Sequence, residues 1–259
     1  MAGKLKENAV ILEQKQIAAG IYSMWLEAKQ IAAAARPGQF VSVYSRDKSR
    51  MLPRPISLCE IDRARGALRL VYRVAGKGTE EFSGYGPGEV LELLGPLGNG
   101  FPLDRCPEGK KAFLIGGGIG IPPMVQLAAE LPGEAQAVVG YRDELFLTGE
   151  LASHGALYLA TEDGSAGTKG NVLDCIRENG LEADVIYACG PKPMLRALKA
   201  YAAEKNIECW VSMEERMACG IGACLACVCQ SKDTDDHSKV NNKRVCKEGP
   251  VFLADDVEL

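Results

Sequence analysis

Thirteen residues near the C-terminus limit what this chain can be: Met217-Ala218-Cys219-Gly220-Ile221-Gly222-Ala223-Cys224-Leu225-Ala226-Cys227-Val228-Cys229. Cys219, Cys224 and Cys227 are spaced C-x4-C-x2-C, and Cys246 follows after a polar segment. Read as thiolate ligands, these four give the plant-type spacing of a [2Fe–2S] cluster. Zinc is the alternative, but a tetrahedral four-cysteine zinc site usually draws its ligands from two C-x2-C pairs. Gly220 and Gly222 let the backbone curl round an inorganic cluster and aim N–H groups at its sulfurs. Cys229 could substitute as a ligand, although a buried neighbour describes it better. Iron–sulfur centres carry single electrons, so the remaining chain must provide their source or their destination.

Ten cysteines in a small secreted chain would suggest disulfides; clustered in a chain of 259 residues they point to a metal site. The scattered ones, Cys59, Cys106, Cys175, Cys189 and Cys209, read as small core residues. A formal charge of −4 leaves no electrostatic case for nucleic-acid binding. Met1 to Asn8 is charged and lacks an apolar signal core, and no apolar run of about 20 residues occurs. A cytoplasmic protein with no transmembrane helix is expected. His154 and His237 have no ligand context.

The first hundred residues carry six short strand signals, at 9–13, 21–27, 40–44, 56–61, 67–74 and 90–94, separated by Gly, Pro or charged clusters. That spacing suggests a small antiparallel barrel. Leu68, Leu70 and Tyr72 face one way and Arg69, Val71 and Arg73 the other. Only one short helix is expected, beginning at Thr79. Two loops could bind a phosphate. In Arg54-Pro55-Ile56-Ser57 the proline keeps Arg54 extended, its guanidinium free to grip an anion, while Ser57 could hydrogen-bond a flat ring. In Gly76-Lys77-Gly78-Thr79 the backbone N–H groups at a helix start form an anion site, and Thr79 is an N-cap, a phosphate ligand or both. One diphosphate could bridge the two loops.

After residue 109 the pattern becomes alternating strand and helix. Strands are expected at 111–115, 135–140, 156–161, 184–188 and 209–212, and helices at 124–131, 172–179 and 193–205. This implies a parallel sheet covered on both faces, with ligands at the carboxyl ends of its strands. Gly116, Gly117, Gly118 and Gly120 lie where a nucleotide diphosphate should sit, although the loop is not a clean G-x-G-x-x-G. Cys189-Gly190-Pro191-Lys192-Pro193-Met194 opens a helix at the same edge, with Cys189 either aimed into the crevice or simply buried. The acidic pair Asp143 and Glu144 leans the reading towards the free ribose hydroxyl of NAD; Arg142 could accept a phosphate instead. Residues 232–243 read as a solvated hairpin or flexible loop.

Three motif groups now stand in a fixed order: R-P-I-S with G-K-G-T, G-G-G-I-G-I-P-P with C-G-P-K-P-M, and C-G-I-G-A-C-L-A-C. The order resembles the ferredoxin–NADP reductase superfamily with an iron–sulfur extension. Over nearly its whole length the chain is similar to the electron-transfer subunits of class 1B, NAD-linked dihydroorotate dehydrogenases. The resemblance implies a multidomain β plus α/β protein: an FAD-binding β-barrel (1–103), an NAD-binding α/β domain (104–212) and a [2Fe–2S] domain (213–259). It implies that Arg54, Pro55, Ile56 and Ser57 hold the flavin and its diphosphate. Val71, Tyr72 and Arg73 would line the FAD site, and Gly78 and Thr79 would bind the diphosphate. Gly116, Gly117, Gly118, Gly120, Cys189, Gly190, Pro191 and Met194 would bind NAD, with Ser57 and Cys189 near the flavin–nicotinamide contact. Cys219, Cys224, Cys227 and Cys246 would hold the cluster. The implied partner is a separate FMN-containing catalytic subunit, two copies of each chain forming a heterotetramer that oxidises dihydroorotate in pyrimidine biosynthesis. Small subunits of bifurcating NADH–ferredoxin:NADP transhydrogenases or sulfhydrogenases share this pattern, and a zinc-stabilised nucleotide-binding adaptor is the non-enzyme alternative.

Overall fold

β-branched and other apolar residues alternating with polar ones build the first six strands of the structure, a computed structural model that describes residues 4–234 and 239–259. They are β1 (Leu5–Ala18), β2 (Ile21–Glu27), β3 (Phe40–Val43), β4 (Arg54–Asp62), β5 (Ala67–Arg73) and β6 (Val90–Leu97). They close into an antiparallel barrel in the order β1-β2-β5-β4-β3-β6. Leu68, Leu70 and Tyr72 point inward and pack with Ile11, Met24, Leu26, Leu58 and Leu93. Val71, on the opposite face of β5, joins a second core beneath the α/β region.

Several features of this part differ from expectation: β1 spans Leu5–Ala18 and not only 9–13, and Arg54–Ser57, expected as a loop, is the start of β4. The barrel carries an additional helix, α1 (Lys29–Ala34), against β1 and β6. The second helix, α2 (Lys77–Ser83), starts two residues before Thr79, with Gly76 as its N-cap.

The second sheet uses β7 (Lys111–Gly117), β8 (Glu134–Tyr141), β9 (Ala156–Thr161), the short β10 (Thr168–Lys169), β11 (Val185–Cys189) and β12 (Glu208–Ser212), all parallel. Helices α3 (Pro122–Glu130), α4 (Thr148–Ala152), α5 (Val172–Glu178) and α6 (Lys192–Lys205) connect them. Ala112–Ile115 and Val185–Ala188 are buried throughout, as strands covered on both faces must be. The order is β10-β9-β8-β7-β11-β12, so the strand sequence reverses between β7 and β11, and the crevice at their carboxyl ends is the topological switch point.

β13 (Val228–Gln230) pairs with β14 (Asn242–Arg244) as an antiparallel ribbon, the expected hairpin; its residues 235–238, including His237, lie outside the described residues. The C-terminus then returns to the large sheet. β15 (Val251–Leu253) lies antiparallel beside β12, with Ser212 opposite Val251 and Trp210 opposite Leu253. The sheet therefore does not end at Ser212, because the buried Phe252 and Val257 complete its core.

Candidate functional site

The four expected ligands meet at the loop between β12 and β13 and at the end of β14. Cys227 and Cys246 are buried, Cys219 is half-buried and Cys224 is exposed. Among the described residues, no three His, Cys, Asp or Glu side chains converge as for a single metal ion. Instead the thiols associate in twos, Cys219 with Cys224 and Cys227 with Cys246.

Backbone N–H groups point at the sulfurs. Ile221 and Ala223 donate to Cys219 Sγ at 3.4 and 3.3 Å, Gly222 to Cys246 Sγ at 3.1 Å, and Cys246 to Cys227 Sγ at 3.4 Å. Partial burial opposes ionisation of Cys219, but these donors and Cys224 outweigh it and bring the thiol down to about 6. Contact with Cys246 brings Cys227 down to about 6 against its burial, and the same contact pushes Cys246 up. The backbone N–H groups aimed at the Cys219, Cys227 and Cys246 sulfurs are what thiolate ligands of a cluster need. Cys229 is different: its Sγ lies 3.5 Å from the Lys243 carbonyl and burial raises its pKa, so it behaves as a core thiol.

The cluster loop is held against the barrel. A Cβ on Gly220 (φ +67) would lie 2.8 Å from Ser42 Oγ on β3, and Lys4 Nζ donates to the Ile221 carbonyl at 2.9 Å. Strand β3 pairs with β4, Ser42 opposite Pro55 and Phe40 opposite Ser57. The loop thus packs one strand away from the Arg54–Ser57 segment.

That segment meets the second anion loop. The Arg54 guanidinium covers Gly78 so closely that a Cβ there would sit 2.5 Å from Nε. A cation and the start of α2 therefore stand together, the chemistry a diphosphate needs. Thr79 uses its hydroxyl locally, accepting from Ala75 N at 2.9 Å and Gly76 N at 3.3 Å and donating to the Gly76 carbonyl. Val71 and Tyr72 are buried, Tyr72 donating to Gln14 Oε1 at 3.0 Å, so any surface they offer a ligand is backbone. Arg73 is exposed and its guanidinium reaches Gly118, linking the barrel to the glycine loop.

At the switch point the two remaining motifs interlock. A Cβ on Gly120 would collide with the Cys189 carbonyl, and one on Gly117 would lie 2.8 Å from Met194 Sδ. Gly190 packs on Gly117 and Met194, and Pro191 caps α6. Cys189 pairs with Gly116 on one side and Ser212 on the other; burial pushes its thiol up to about 12, with the Ser212 hydroxyl acting the opposite way. The Glu144 carboxylate accepts the Ala19 backbone N–H at 2.7 Å, tying the sheet to the β1–β2 turn. Sequence reasoning missed Arg244, which donates to the Gly222 carbonyl at 3.1 Å while its partner Glu248 holds it. Its only sequence signal is the i,i+4 Arg–Glu spacing beside a ligand cysteine.

A closed antiparallel barrel beside a doubly wound sheet, with an iron–sulfur loop after the last parallel strand, defines a ferredoxin–NADP reductase-like protein with a cluster extension. Residues 214–258 match the family described as the iron–sulfur cluster binding domain of dihydroorotate dehydrogenase B. Two curated relatives are named dihydroorotate dehydrogenase B (NAD(+)), electron transfer subunit. One, from Geobacillus sp. (strain WCH70), is 45% identical; the other, from Bacillus caldolyticus, is 44% identical. Each alignment covers 98% of this chain and 99% of the relative. The chain belongs to this family of electron-transfer subunits. A solved chain of the NADH-dependent reduced ferredoxin-NADP oxidoreductase superposes with TM-score 0.85 at 27% identity, covering 96% of this chain and 89% of that one. A ferredoxin NADP+ reductase from Neisseria gonorrhoeae shares the fold, with TM-score 0.64 at 15% identity over 85% of this chain and 95% of that one. Among the described residues no helix is long and apolar enough to cross a membrane.

Proposed function

We propose that this chain is the NAD-reducing subunit of a cytoplasmic dihydroorotate dehydrogenase. It would take electrons from the FMN of a catalytic partner through a [2Fe–2S] cluster and FAD to NAD+. The observation that carries the proposal is the set of backbone N–H groups from Ile221, Gly222, Ala223 and Cys246 aimed at the Cys219, Cys227 and Cys246 sulfurs, where a cysteine loop packs against the barrel. The cluster and FAD supply the electron-carrying chemistry; the chain's own residues bind and orient them. Arg54 with Gly78 and Thr79 would hold the flavin diphosphate, Pro55, Ile56, Ser57, Val71, Tyr72 and Arg73 the rest of the FAD. Gly116, Gly117, Gly118 and Gly120 with Cys189, Gly190, Pro191 and Met194 would seat NAD. Ser57 and Cys189 would flank the flavin–nicotinamide contact. The division into 1–103, 104–212 and 213–259 follows these three roles, with β15 as the part of the last segment that completes the second sheet.

The partner would dock on the cluster loop. Ile221, Leu225 and Val228 there are 39%, 46% and 37% exposed beside the exposed Cys224, an apolar surface at a redox centre. We assign the partner as the FMN-containing dihydroorotate dehydrogenase catalytic subunit, two copies of each chain forming the complex. The likeness to the bifurcating oxidoreductase, at 27% identity, supports the shared cofactor arrangement; the relatives at 44–45% support the dihydroorotate reading over it. The test is co-purification with the candidate FMN subunit and an assay of dihydroorotate-dependent NAD+ reduction. NADH formation is expected; none from a complex loaded with all its cofactors would overturn the assignment.

A further inference from the structure

The cluster loop is gripped by a side chain from outside it. Arg244, at the end of β14, donates through Nη1 to the Gly222 carbonyl at 3.1 Å. In a trans peptide the C=O and the following N–H point in opposite directions. Fixing the Gly222 carbonyl therefore aims the Ala223 N–H the other way, and it meets Cys219 Sγ at 3.3 Å. The preceding peptide is committed too, because the Gly222 N–H donates to Cys246 Sγ at 3.1 Å. One guanidinium thus sits behind a two-peptide turn that serves a thiol of each pair.

Arg244 is itself held. Glu248 accepts its backbone N–H at 2.7 Å, its Nε at 3.0 Å and its Nη2 at 2.5 Å, and the Arg244 side chain is only 11% exposed. Gly222 has φ +84, in the left-handed region that favours glycine, and a Cβ there would lie 2.7 Å from the Lys247 side chain, so the turn depends on glycine at this position. Hydrogen bonds to cluster sulfurs favour the reduced form, which carries more negative charge, and so raise the reduction potential.

We propose that Arg244, braced by Glu248, is a positioning residue that sets the reduction potential of the cluster by orienting the Gly222–Ala223 peptide. The inference rests on the four-cysteine ligand assignment. It adds that the tuning element is an ion pair outside the ligand loop. Its action is through geometry, and charge alone predicts something different. Replacing Glu248 by a neutral residue removes a negative charge near the cluster, which by charge alone would raise the potential. By loosening the brace it would weaken the Ala223 N–H bond and lower the potential.

The test is a redox titration of the purified complex, following the reduced-cluster electron paramagnetic resonance signal, for wild type, Arg244→Gln and Glu248→Gln. Iron and sulfide content and the visible spectrum are measured on the same samples. Both variants are expected to keep a full cluster and to shift the midpoint to more negative potential. Glu248→Gln retains every cysteine and the guanidinium, so it reads the brace even if Arg244→Gln loads its cluster poorly. A positive shift or no shift in Glu248→Gln, or an unchanged midpoint in a cluster-replete Arg244→Gln, would overturn the proposal. A wild-type complex lacking any iron–sulfur signal would instead overturn the ligand assignment, so the two failures are distinct.

Discussion

At the scale of single residues, the Arg54–Gly78 contact explains why the first anion loop needs the second. Gly78 has no side chain, so the guanidinium can lie flat against it, with a would-be Cβ 2.5 Å from Nε. Gly78→Ala is expected to leave the barrel folded, because the clash falls on the end of a flexible side chain that can swing away. The displaced cation should weaken FAD binding on the order of 10- to 100-fold, the contribution of one charge-assisted hydrogen bond. Flavin content per protein after gel filtration measures this, and unchanged content at limiting FAD would refute it. The cysteines separate just as sharply. Cys224→Ala should abolish the cluster absorption while FAD stays bound. Cys229→Ser should keep the full cluster, since its thiol is buried against Lys243 and has no place in either pair. A cluster that survives Cys224→Ala would mean that Cys229 can substitute. The C-x4-C-x2-C spacing singled out these candidate ligands in the sequence; Arg244 was not legible, because nothing in the chain says which carbonyl its guanidinium will reach.

Among the elements, short alternating strands between turn residues were legible, the longest strand β1 only over residues 9–13, and the tertiary-capped pieces not at all. Strand β2 falls on residues 21–27 and β9 on 156–161 as read, since alternation and flanking turn residues mark both. Helix α1 escaped because Ala28 offers no side-chain cap and its first turn has no acidic residue. The cap comes from another strand: Glu7 on β1 accepts the N–H groups of Gln30 at 3.2 Å and Ile31 at 3.0 Å. Strand β15 escaped for a related reason, since three residues have no periodicity to read. Its contribution is nonetheless large. Phe252 is buried in the sheet core and packs on Gly249, just behind the ligand Cys246. Phe252→Ala is expected to cost about 3 to 5 kcal/mol by large-to-small truncation. Denaturant unfolding should show the loss, and cluster release should move to lower denaturant with it. A variant as stable as wild type would show that β15 is an appendage and not part of the sheet.

The whole molecule is held in register by polar contacts between barrel and sheet laid over a shared core. Arg69, buried in the barrel wall, reaches Ser23 at 2.8 Å, Glu60 at 2.5 Å and Glu150 on α4 at 2.8 Å. Gln126 on α3 accepts the Ile61 N–H at 2.5 Å, and Arg63 pairs with Glu130 at 2.7 Å. Burial alone would raise the Glu150 carboxyl, but the Arg69 bonds outweigh it and hold it below the usual carboxylate range. A group depressed in the folded state stabilises above its unfolded pKa of about 4.3 and loses that contribution as pH falls through its lower folded value. Glu150→Gln should therefore melt below wild type near pH 7, and the gap should close as pH falls into the acid range. A gap that stays constant with pH would exclude the ion pair as its cause. By itself the sequence determined the local matters: the cysteine spacing, the strand and helix periods, the order of the three motif groups and the barrel-then-sheet architecture. Only the tertiary structure decided that Glu144 reaches Ala19, that the cluster loop leans on β3, and that the C-terminus closes the second sheet. Each of these depends on which distant groups meet across a packed interface, and a contact between residues far apart in the chain leaves no mark in local spacing.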